Sequence, residues 1–460
     1  MYELLKKKHR LNTPQVLFLG FLSVILLGAF LLSLPVASAS GEWTNFVDAL
    51  FTSTTSVCVT GLTVVPTYSY WSLFGKVVIL ILIQLGGLGV ISIGIGLLVL
   101  VGKRITLKER MLVQETYGMD SLQGMVRLVL RIFKATIAME AVGAIFYAIQ
   151  FVPDFGFVKG IGYAVFHSIS AFCNAGLDLI GETSMVPYQK NVLVSVTTMV
   201  LIVSGGIGFT VWWDLLKNIR MSRKNRVYRG MFTRLQLHSK IAIVTTAVLI
   251  FGGALLIFVL EFGNADTIGN MNLGHKVLNS FFESITTRTA GFFAIDQAGF
   301  KDTTTLILIV LMVIGGSPMG TAGGMKTTTV VMIFMSIKSS LTGRKDTEVY
   351  GRKINSDNIR SGIAVVGVFI SFLFLGIVLL SITENKGLLD LTYEAASAIA
   401  TVGLSRGITA SLSVGGKIII IAMMFLGRLG PITMAMAFTI RRNLTGKQLR
   451  ELPDGKIIVG

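Results

Sequence analysis

The sequence predicts an all-α integral membrane protein in which four tandem repeats surround one pseudo-fourfold pore. Of its 460 residues, 52% are hydrophobic and 14% are charged, a composition that soluble chains of this length do not have. Four apolar segments end in a triplet closed by glycine: Val59-Thr60-Gly61, Asn174-Ala175-Gly176, Thr289-Ala290-Gly291 and Thr401-Val402-Gly403. Because these glycines stand 115, 115 and 112 residues apart, the chain contains a long-period internal repeat.

Eight apolar runs are suitable for crossing a bilayer, which takes about 20 residues each. They cover 14–36, 72–101, 126–152, 190–216, 240–262, 303–338, 360–382 and 415–440. Two runs fall in each repeat. We therefore divide the chain into a cytoplasmic N-terminus (1–13), repeat 1 (14–110), repeat 2 (111–225), repeat 3 (226–345), repeat 4 (346–442) and a cytoplasmic C-terminal tail (443–460).

A shorter apolar stretch lies between the two spans of each repeat and leads into the glycine triplet. The four stretches are Phe46 to Cys58, Tyr163 to Cys173, Val277 to Arg288 and Leu391 to Ala400. Each is too short to cross the bilayer and fits a re-entrant segment. The repeat is therefore predicted as span, pore half-helix, extended loop and span, with the loop buried in protein or lining water.

Lysine and arginine near the ends of spans indicate the orientation. The segment from Lys217 to Lys240 carries eight cations and no acid, so we place it in the cytoplasm. The same side receives the basic start Lys6-Lys7-Lys8-His9-Arg10, the cations Lys103, Arg104, Lys108 and Arg110, the loop from Arg344 to Arg360, and Arg441-Arg442. Both termini are then cytoplasmic, and the net charge of +17 reflects topology and not nucleic-acid binding.

The predicted outer side holds ten acids: Glu42, Asp48, Asp154, Asp178, Glu182, Asp266, Asp296, Asp302, Glu384 and Asp390. They would concentrate cations at a mouth, or they are the ordinary consequence of topology. The basic start, the first apolar run and Ala37-Ser38-Ala39 together resemble a signal peptide with its cleavage site. That run is longer than a signal segment, so we keep it as the first span of the mature protein.

The triplets have the composition of a filter for cations. A cage of backbone carbonyls can replace the hydration shell of potassium, and the extended loop that carries it needs glycine at restrictive positions. A half-helix that enters from the outer side directs its C-terminal carbonyls, with partial negative charge, towards the cavity. Any one triplet alone is typical of a turn. A second glycine cluster about 25 residues further on repeats the register, at Gly86-Gly87-Leu88-Gly89, Gly205-Gly206-Ile207-Gly208, Gly315-Gly316 and Gly427-Arg428-Leu429-Gly430.

The third repeat departs from the other three. Its second long segment contains the run Gly315-Gly316-Ser317-Pro318-Met319-Gly320-Thr321-Ala322-Gly323-Gly324-Met325-Lys326. Proline and this much glycine should break the helix, and broken backbone in a membrane is expected beside a water-filled cavity. We therefore place this loop across the pore beneath the triplets. Close helix packing is the alternative for Gly316, Gly320 and Gly324, although Pro318 argues against a straight helix.

With its four glycine triplets and second glycine clusters, the sequence resembles the Trk/Ktr/HKT superfamily of potassium transporters over essentially the whole chain. It most closely resembles the KtrB type of bacterial membrane subunit. The resemblance implies potassium uptake across the bacterial cell membrane, with K⁺ held at the carbonyls of the four triplets. Glycine at all four filter positions implies potassium preference, whereas serine in the first repeat goes with sodium-transporting plant relatives. The intramembrane loop from Gly315 to Lys326 is then the gate.

The resemblance also implies partners. Members form homodimers with one pore per protomer, and a cytosolic ring of RCK domains, of the KtrA type, binds ATP or ADP and regulates them. No organic cofactor is expected in this chain. The basic loops Lys217 to Lys240 and Arg344 to Arg360 are candidate docking surfaces for the ring, with topology as the equal alternative.

Two cations are placed near the pathway, since ionisable residues at membrane depth are functional candidates. Arg428, in the slot of Gly87 in repeat 1, either raises an electrostatic barrier or holds the gate loop through its carbonyls. The resemblance favours the second role, with snorkelling as a further alternative. Lys326 closes the loop.

Other residues carry weaker signals. We interpret Cys58 and Cys173 as buried packing thiols, because they have no metal-ligand pattern. Arg288 must point away from the ion. Glu140 either pairs with Lys134 or faces a neighbouring helix, whereas Glu283 and Glu394 either brace the filter or lie at the water interface.

No enzyme motif is present, so we do not expect an enzyme. A passive gated pore is favoured over a carrier that couples K⁺ to Na⁺ or H⁺, because the repeats are parallel and Glu140 is the obvious carboxylate deep in a span. Because three triplets differ from the potassium-channel pattern, a poorly selective K⁺/Na⁺ pathway is a further alternative.

Overall fold

The computed structural model describes residues 13–89, 125–181, 183–226 and 230–430. Several predicted features lie outside these ranges: the basic start, the cations at 103–110, Glu182, the inner ends of spans 72–101 and 415–440, Arg441-Arg442 and the tail 443–460.

The described chain is mostly helical, as predicted. Repeat 1 contributes α1 (Thr13–Ser33), α2 (Phe46–Cys58), α3 (Thr67–Tyr70) and α4 (Leu73–Leu88). Repeat 2 contributes α5 (Met125–Phe155), α6 (Phe157–Cys173), α7 (Val192–Gly206) and α8 (Phe209–Asn225). Repeat 3 contributes α9 (Leu237–Glu261), α10 (Leu273–Thr286), α11 (Asp302–Val313) and α12 (Thr327–Leu341). Repeat 4 contributes α13 (Ser356–Thr383), α14 (Leu388–Ala400) and α15 (Val414–Leu429).

Each repeat therefore has a long helix, a shorter helix that ends at the glycine triplet, and a following helical segment. The long helices α1, α5, α9 and α13 meet the length and hydropathy of a membrane span. The bent pair of α7 and α8 would be a fifth. The following helices of repeats 1 and 4 end at Leu88 and Leu429, and the remainder of the predicted spans 72–101 and 415–440 lies outside the described residues.

The second repeat differs from the prediction of one continuous span over 190–216. Its helices α7 and α8 meet at an angle of 97°. The break falls at Gly208, whose φ of +94° is a backbone conformation that glycine adopts without strain. Beyond it, α8 carries much of the predicted basic segment, with Arg223 and Lys224 in its last turn, where cations complement the helix dipole.

The third repeat breaks where proline and glycine predicted. Helix α11 ends at Val313 and α12 begins at Thr327, with non-helical chain between them. The loop after α12 contains a small antiparallel hairpin, β1 (Glu348–Val349) and β2 (Arg352–Lys353), which the all-α prediction did not include. Tyr350 and Gly351 form its two-residue turn with φ of +51° and +71°, as a type I′ turn requires.

Polarity is inverted relative to a water-soluble protein. The long helices expose large apolar side chains, among them Leu27, Phe30, Phe251 and Phe374, whereas the hydroxyl-rich run from Thr52 to Ser56 in α2 is buried. Lipid tails are as apolar as leucine, so apolar side chains face outwards in a membrane and polar groups gather inside. The short helices α2, α6, α10 and α14 therefore form the centre of the molecule.

Candidate functional site

The four glycine triplets, up to 342 residues apart in sequence, meet in a closed ring. A β-carbon added to Gly61 would lie 2.8 Å from the carbonyl oxygen of Ala175, and one added to Gly176 would lie 2.6 Å from that of Ala290. One added to Gly291 would lie 2.5 Å from that of Val402, and one added to Gly403 would contact that of Thr60. Each repeat thus touches the next, and the fourth returns to the first.

The backbone of every triplet has the same unusual conformation. The first residues, Val59, Asn174, Thr289 and Thr401, have positive φ between 52° and 66°, and the closing glycines have φ between 66° and 103°. A non-glycine residue with positive φ is uncommon and costs about 1–3 kcal/mol. Four such residues at equivalent positions indicate a geometry that the surrounding structure imposes. In each triplet, the first and last residues have positive φ and the middle residue lies between them.

Hydroxyl groups of the short helices hold the triplets in place, and sequence reasoning did not identify them. Thr55 accepts a hydrogen bond from the Gly61 amide at 2.9 Å, and Ser397 accepts one from the Gly403 amide at 3.0 Å. Ser170 donates to the Leu177 carbonyl at 2.6 Å. These three hydroxyls stand six residues before their glycine, which is the signal that could have identified them.

The third repeat supports its triplet differently. Thr286, five residues before Gly291, donates to the Phe292 carbonyl. Helix α10 ends at Thr286, and Thr287 and Arg288 intervene before the triplet. The hydroxyl is therefore retained although its spacing from the glycine is one residue shorter.

A second layer of buried polar side chains braces the loops that follow the triplets. Glu283 accepts from the Ala294 amide at 3.3 Å and from Gln297 Nε2 at 3.2 Å. Glu394 accepts from Ser405 at 2.7 Å and from Thr409. Both carboxyls are fully buried. Of the two interpretations of these glutamates, bracing is therefore the one that the geometry supports.

A histidine has the equivalent place in the second repeat. His167 Nδ1 donates to the Tyr163 carbonyl at 2.7 Å, and its Nε2 accepts from the Leu179 amide at 3.2 Å. This arrangement fixes the neutral tautomer with hydrogen on Nδ1. His167 and Glu394 both stand nine residues before their triplet glycine.

The second glycine clusters allow the following helices to pack beneath the short helices. A β-carbon on Gly86, Gly205 or Gly427 would collide with the carbonyl oxygen of Val57, Phe172 or Ile399, respectively. Each of these carbonyls stands two residues before its triplet. In repeats 1, 2 and 4 the second glycine cluster therefore packs against the last turn of the short helix that leads into the triplet.

The broken segment of repeat 3 lies against the ring. The amides of Ser317 and Thr321 donate to the carbonyls of Gly206 and Gly205 at 2.9 and 3.1 Å. The Gly323 amide donates to the hydroxyl of Thr289, a triplet residue, at 3.1 Å. A β-carbon on Gly323 would also meet the Thr401 hydroxyl. The segment from Gly315 to Lys326 thus contacts the triplets of repeats 3 and 4 and the bend of repeat 2.

Arg428 connects this segment to the first repeat. Its guanidinium donates to the Thr321 carbonyl at 2.6 Å, to the Gly86 carbonyl, and to the Gly87 carbonyl at 3.4 Å. Of the alternatives for Arg428, the observed contacts favour holding the loop through its carbonyls. Lys326 is half-buried and donates to Ala322 inside the same loop at 2.7 Å.

Two further predicted residues, Arg288 and Glu140, lie near the ends of the short helices. Arg288 points away from the ring and donates to the carbonyls of Thr246 and Gly315 at 3.3 and 3.2 Å. Glu140 faces α4, where Gln84 Nε2 donates to it at 3.3 Å. Among the described residues, Glu140 and Lys134 do not form an ion pair.

Both cysteines are buried, as expected, and both are free thiols. Cys173 lies 3.9 Å from Glu140 and 3.8 Å from Gln84. In the described ranges, no group of three or more His, Cys, Asp or Glu side chains is arranged to hold a metal ion.

The dipoles of the four short helices make the electrostatic potential at the ring negative. The carbonyl ends of α2, α6, α10 and α14 all face it, and a helix C-terminus carries about half a negative charge. The side-chain oxygens of Thr60, Asn174 and Thr401 are buried and have no hydrogen-bond partner within the part of the chain that the structure covers. A bound water or ion is one partner that can satisfy buried polar atoms of this kind.

Several acids on the predicted outer side form ion pairs or hydrogen bonds with other groups of the protein. Asp48 pairs with Lys417 at 2.7 Å and Asp390 pairs with Arg406 at 2.7 Å. Glu384 accepts from Ser413 at 2.6 Å. Near the second triplet, burial raises the pKa of Asp178 to about 6, although hydrogen bonds from Ser184 and the backbone oppose this. These contacts favour the topological explanation of the acids over an open acidic mouth.

Comparison with known proteins places this geometry in context. The chain matches the TrkH family, described as a cation transport protein, over residues 17–444. It is 37% identical over 451 residues to the Ktr system potassium uptake protein B of Bacillus subtilis, covering 98% of this chain and 97% of that protein. It is 35% identical over 457 residues to the potassium/sodium uptake protein NtpJ of Enterococcus hirae, covering 98% of each.

The fold has a counterpart among solved structures. The crystal structure of the potassium transporter TrkH from Vibrio parahaemolyticus matches with a TM-score of 0.71 at 18% identity, covering 94% of this chain and 86% of that chain. At this identity the likeness concerns the fold.

Proposed function

Because the chain belongs to the TrkH family of cation transport proteins, we propose that it is the pore-forming membrane subunit of a potassium uptake system. The family expected from the glycine triplets is thereby confirmed. The relatives are named as uptake proteins for potassium, or for potassium and sodium, and potassium is the substrate that we assign to this chain.

The observation that carries the proposal is the closed ring of triplets. Four non-helical segments with glycine at the point of contact support a cage of backbone carbonyls, which is how potassium filters replace the hydration shell of the ion. The filter consists of the four triplets, Val59 to Gly61, Asn174 to Gly176, Thr289 to Gly291 and Thr401 to Gly403. Four helix C-termini around the ring lower the energy of a cation there without a charged side chain.

The segment from Gly315 to Lys326 is the gate in this proposal. Its contacts with Thr289 and its approach to Thr401 support a position directly beneath the filter. Arg428 holds it closed through Thr321 while also contacting Gly86 and Gly87. Hydrogen bonds from a charged donor are worth about 1.5–3 kcal/mol each, so this one residue strongly favours the closed position.

The membrane arrangement follows the same reasoning. Eight spans and four re-entrant half-helices in the bacterial cell membrane, with both termini in the cytoplasm, account for the repeat pattern and for the basic loops. The chain is assigned a homodimer and a cytosolic regulatory ring of KtrA-type RCK domains, which would carry ATP or ADP. The basic helix α8 and the loop from Arg344 to Arg360 are the surfaces proposed for that ring.

A second function is coupled transport of potassium and sodium. It is favoured by the 35% identity to a protein named for uptake of both ions and by the buried carboxylate of Glu140. Against it, the partners of Glu140 that the structure describes are the neutral groups of Gln84 and Cys173. A sodium site would need more oxygen ligands than these supply.

Ion flux in liposomes that contain the purified chain alone separates the two functions. A passive filter gives uptake that prefers potassium and stops only when the potassium gradient is removed. Uptake that requires an imposed gradient of sodium or protons would contradict the pore and establish a carrier. Equal uptake of potassium and sodium would contradict the proposed selectivity.

A further inference from the structure

A cleft separates α9 from α12 on the side that we assign to the cytoplasm. Its volume is about 830 Å³. The walls are apolar and include Val244 and Val248 of α9 and Phe334 of α12. Val248 and Phe334 are each 63% exposed, so the cleft opens towards the lipid.

The cytoplasmic end of the cleft is charged. Lys338 of α12 and Arg344 of the following loop line it. In the part of the chain that the structure covers, neither side chain takes part in an ion pair. Two carboxylates are nearby, and Lys353 neutralises one of them, Asp346, at 2.6 Å.

The remaining groups at this end complete an interfacial pattern. Glu348 is the second carboxylate of the lining, and Tyr350 contributes an exposed ring. Lys240 lies 5.9 Å from the centre of that ring. Cations and aromatic rings mark the level of lipid headgroups, and an excess of cations attracts anionic lipid.

We propose that this cleft binds one anionic phospholipid of the cytoplasmic leaflet. An acyl chain lies along Val244, Val248 and Phe334, and the headgroup phosphate contacts Lys338 and Arg344. The occupant is a lipid and not a free phosphate because the cleft is mostly apolar and ends at its charged rim.

The site is adjacent to the proposed gate. Helix α12 begins at Thr327, whose amide donates to the Gly316 carbonyl at 3.1 Å and whose hydroxyl lies 2.9 Å from that of Ser317. A lipid that holds α12 against α9 therefore also fixes one end of the loop. This regulatory consequence rests on the proposed function, whereas the binding does not.

Native mass spectrometry of the full chain in detergent tests the binding. We expect palmitoyl-oleoyl phosphatidylglycerol to bind more tightly than phosphatidylcholine with the same chains. The double variant Lys338→Gln/Arg344→Gln should bind phosphatidylglycerol about 30-fold more weakly, because each cation near an anionic surface contributes a factor of roughly five. The matched control Lys190→Gln/Lys386→Gln removes two exposed cations from the other side and should leave binding unchanged.

A second variant tests the apolar part of the cleft. Val248→Trp should weaken binding of both lipids because the indole fills the space of the acyl chain. Equal binding of the two lipids, unchanged binding by the double variant or by Val248→Trp, or displacement of the lipid by glycerol 3-phosphate would overturn the proposal. A changed subunit number in light scattering of the double variant would assign the cleft to a second copy and overturn it as well.

Flux measurements then separate the two proposals. Liposomes with phosphatidylglycerol should give different potassium uptake from liposomes of phosphatidylcholine, and the double variant should remove the difference. Absence of any potassium uptake in both would contradict the proposed function and leave the binding result intact.

Discussion

Gly291→Ala should damage ion selection, because the added methyl group collides with the backbone of a neighbouring triplet. An added methyl group would lie 2.5 Å from the Val402 carbonyl oxygen, and 3.1 and 3.2 Å from the α-carbons of Gly176 and Gly403. Carbon and carbonyl oxygen approach to about 3.3 Å in the closest favourable contacts, so the Val402 carbonyl must move by about 0.8 Å. Functional groups tolerate displacements of about 0.5 Å. We expect the ratio of potassium to sodium uptake to fall at least about tenfold, or ~1.4 kcal/mol.

Gly407→Ala is the matched control. Gly407 has φ of +88°, close to the +82° of Gly291, but no atom lies within 4 Å of its added β-carbon. Both variants carry the backbone strain of an L-residue at positive φ, roughly 1–2 kcal/mol, and only Gly291→Ala carries the collision. The assay is paired potassium and sodium uptake in liposomes, with thermal unfolding to measure the strain. A wild-type ratio in Gly291→Ala, or an equal loss in Gly407→Ala, would refute a filter built on this ring.

Three other predictions follow from the same geometry. Arg428→Gln should raise potassium uptake about tenfold or more, because the loop loses charge-assisted hydrogen bonds of about 1.5–3 kcal/mol. Uptake at or below the wild-type level in folded protein would contradict the proposal that Arg428 holds the loop closed. Deletion of Met319 to Gly323 should likewise raise uptake, and unchanged flux would remove this segment from the gate. The pKa of Asp178 is raised to about 6, so this carboxyl binds more protons in the folded protein than in the unfolded chain, and the protein loses stability as the pH rises from about 4 to 6. Asp178→Asn should abolish this fall in thermal stability. An unchanged pH profile of the melting temperature would contradict the raised pKa.

The repeat was readable from the sequence because it depends on local chemistry. Helix α2 has the predicted bounds Phe46 to Cys58, and all four triplets lie at the ends of short helices. Glycine is required there by close contact and by positive φ, and neither demand can be met by another residue without strain. The break in repeat 3 was readable for a similar reason, since Pro318 and its glycine neighbours disfavour a helix.

Contacts between distant parts of the chain could not be predicted from the sequence. Hydropathy continues through Gly208 into Phe209 and Val211, so the 97° bend leaves no mark in an apolar profile. The bracing roles of Glu283 and Glu394 depend on loops that turn back over 11 to 15 residues. Arg428 reaches a carbonyl 107 residues away, and its alternative roles could be separated only when that partner was known.

The departure of the third repeat supports the proposal that the gate lies there. In repeats 1, 2 and 4 a glycine of the following helix packs directly against the end of the short helix, so that helix is fixed from below. In repeat 3 the corresponding Gly315 instead receives a hydrogen bond from Arg288, the residue that stands where Cys58, Cys173 and Ala400 stand in the others. A side-chain hydrogen bond can be exchanged during a motion, whereas a helix packed on backbone cannot withdraw without opening a cavity. Within the described residues, the third repeat therefore lacks the packing of a glycine on the end of the short helix that the other three repeats share, and this difference supports the proposal that its loop, Gly315 to Lys326, is the segment that moves.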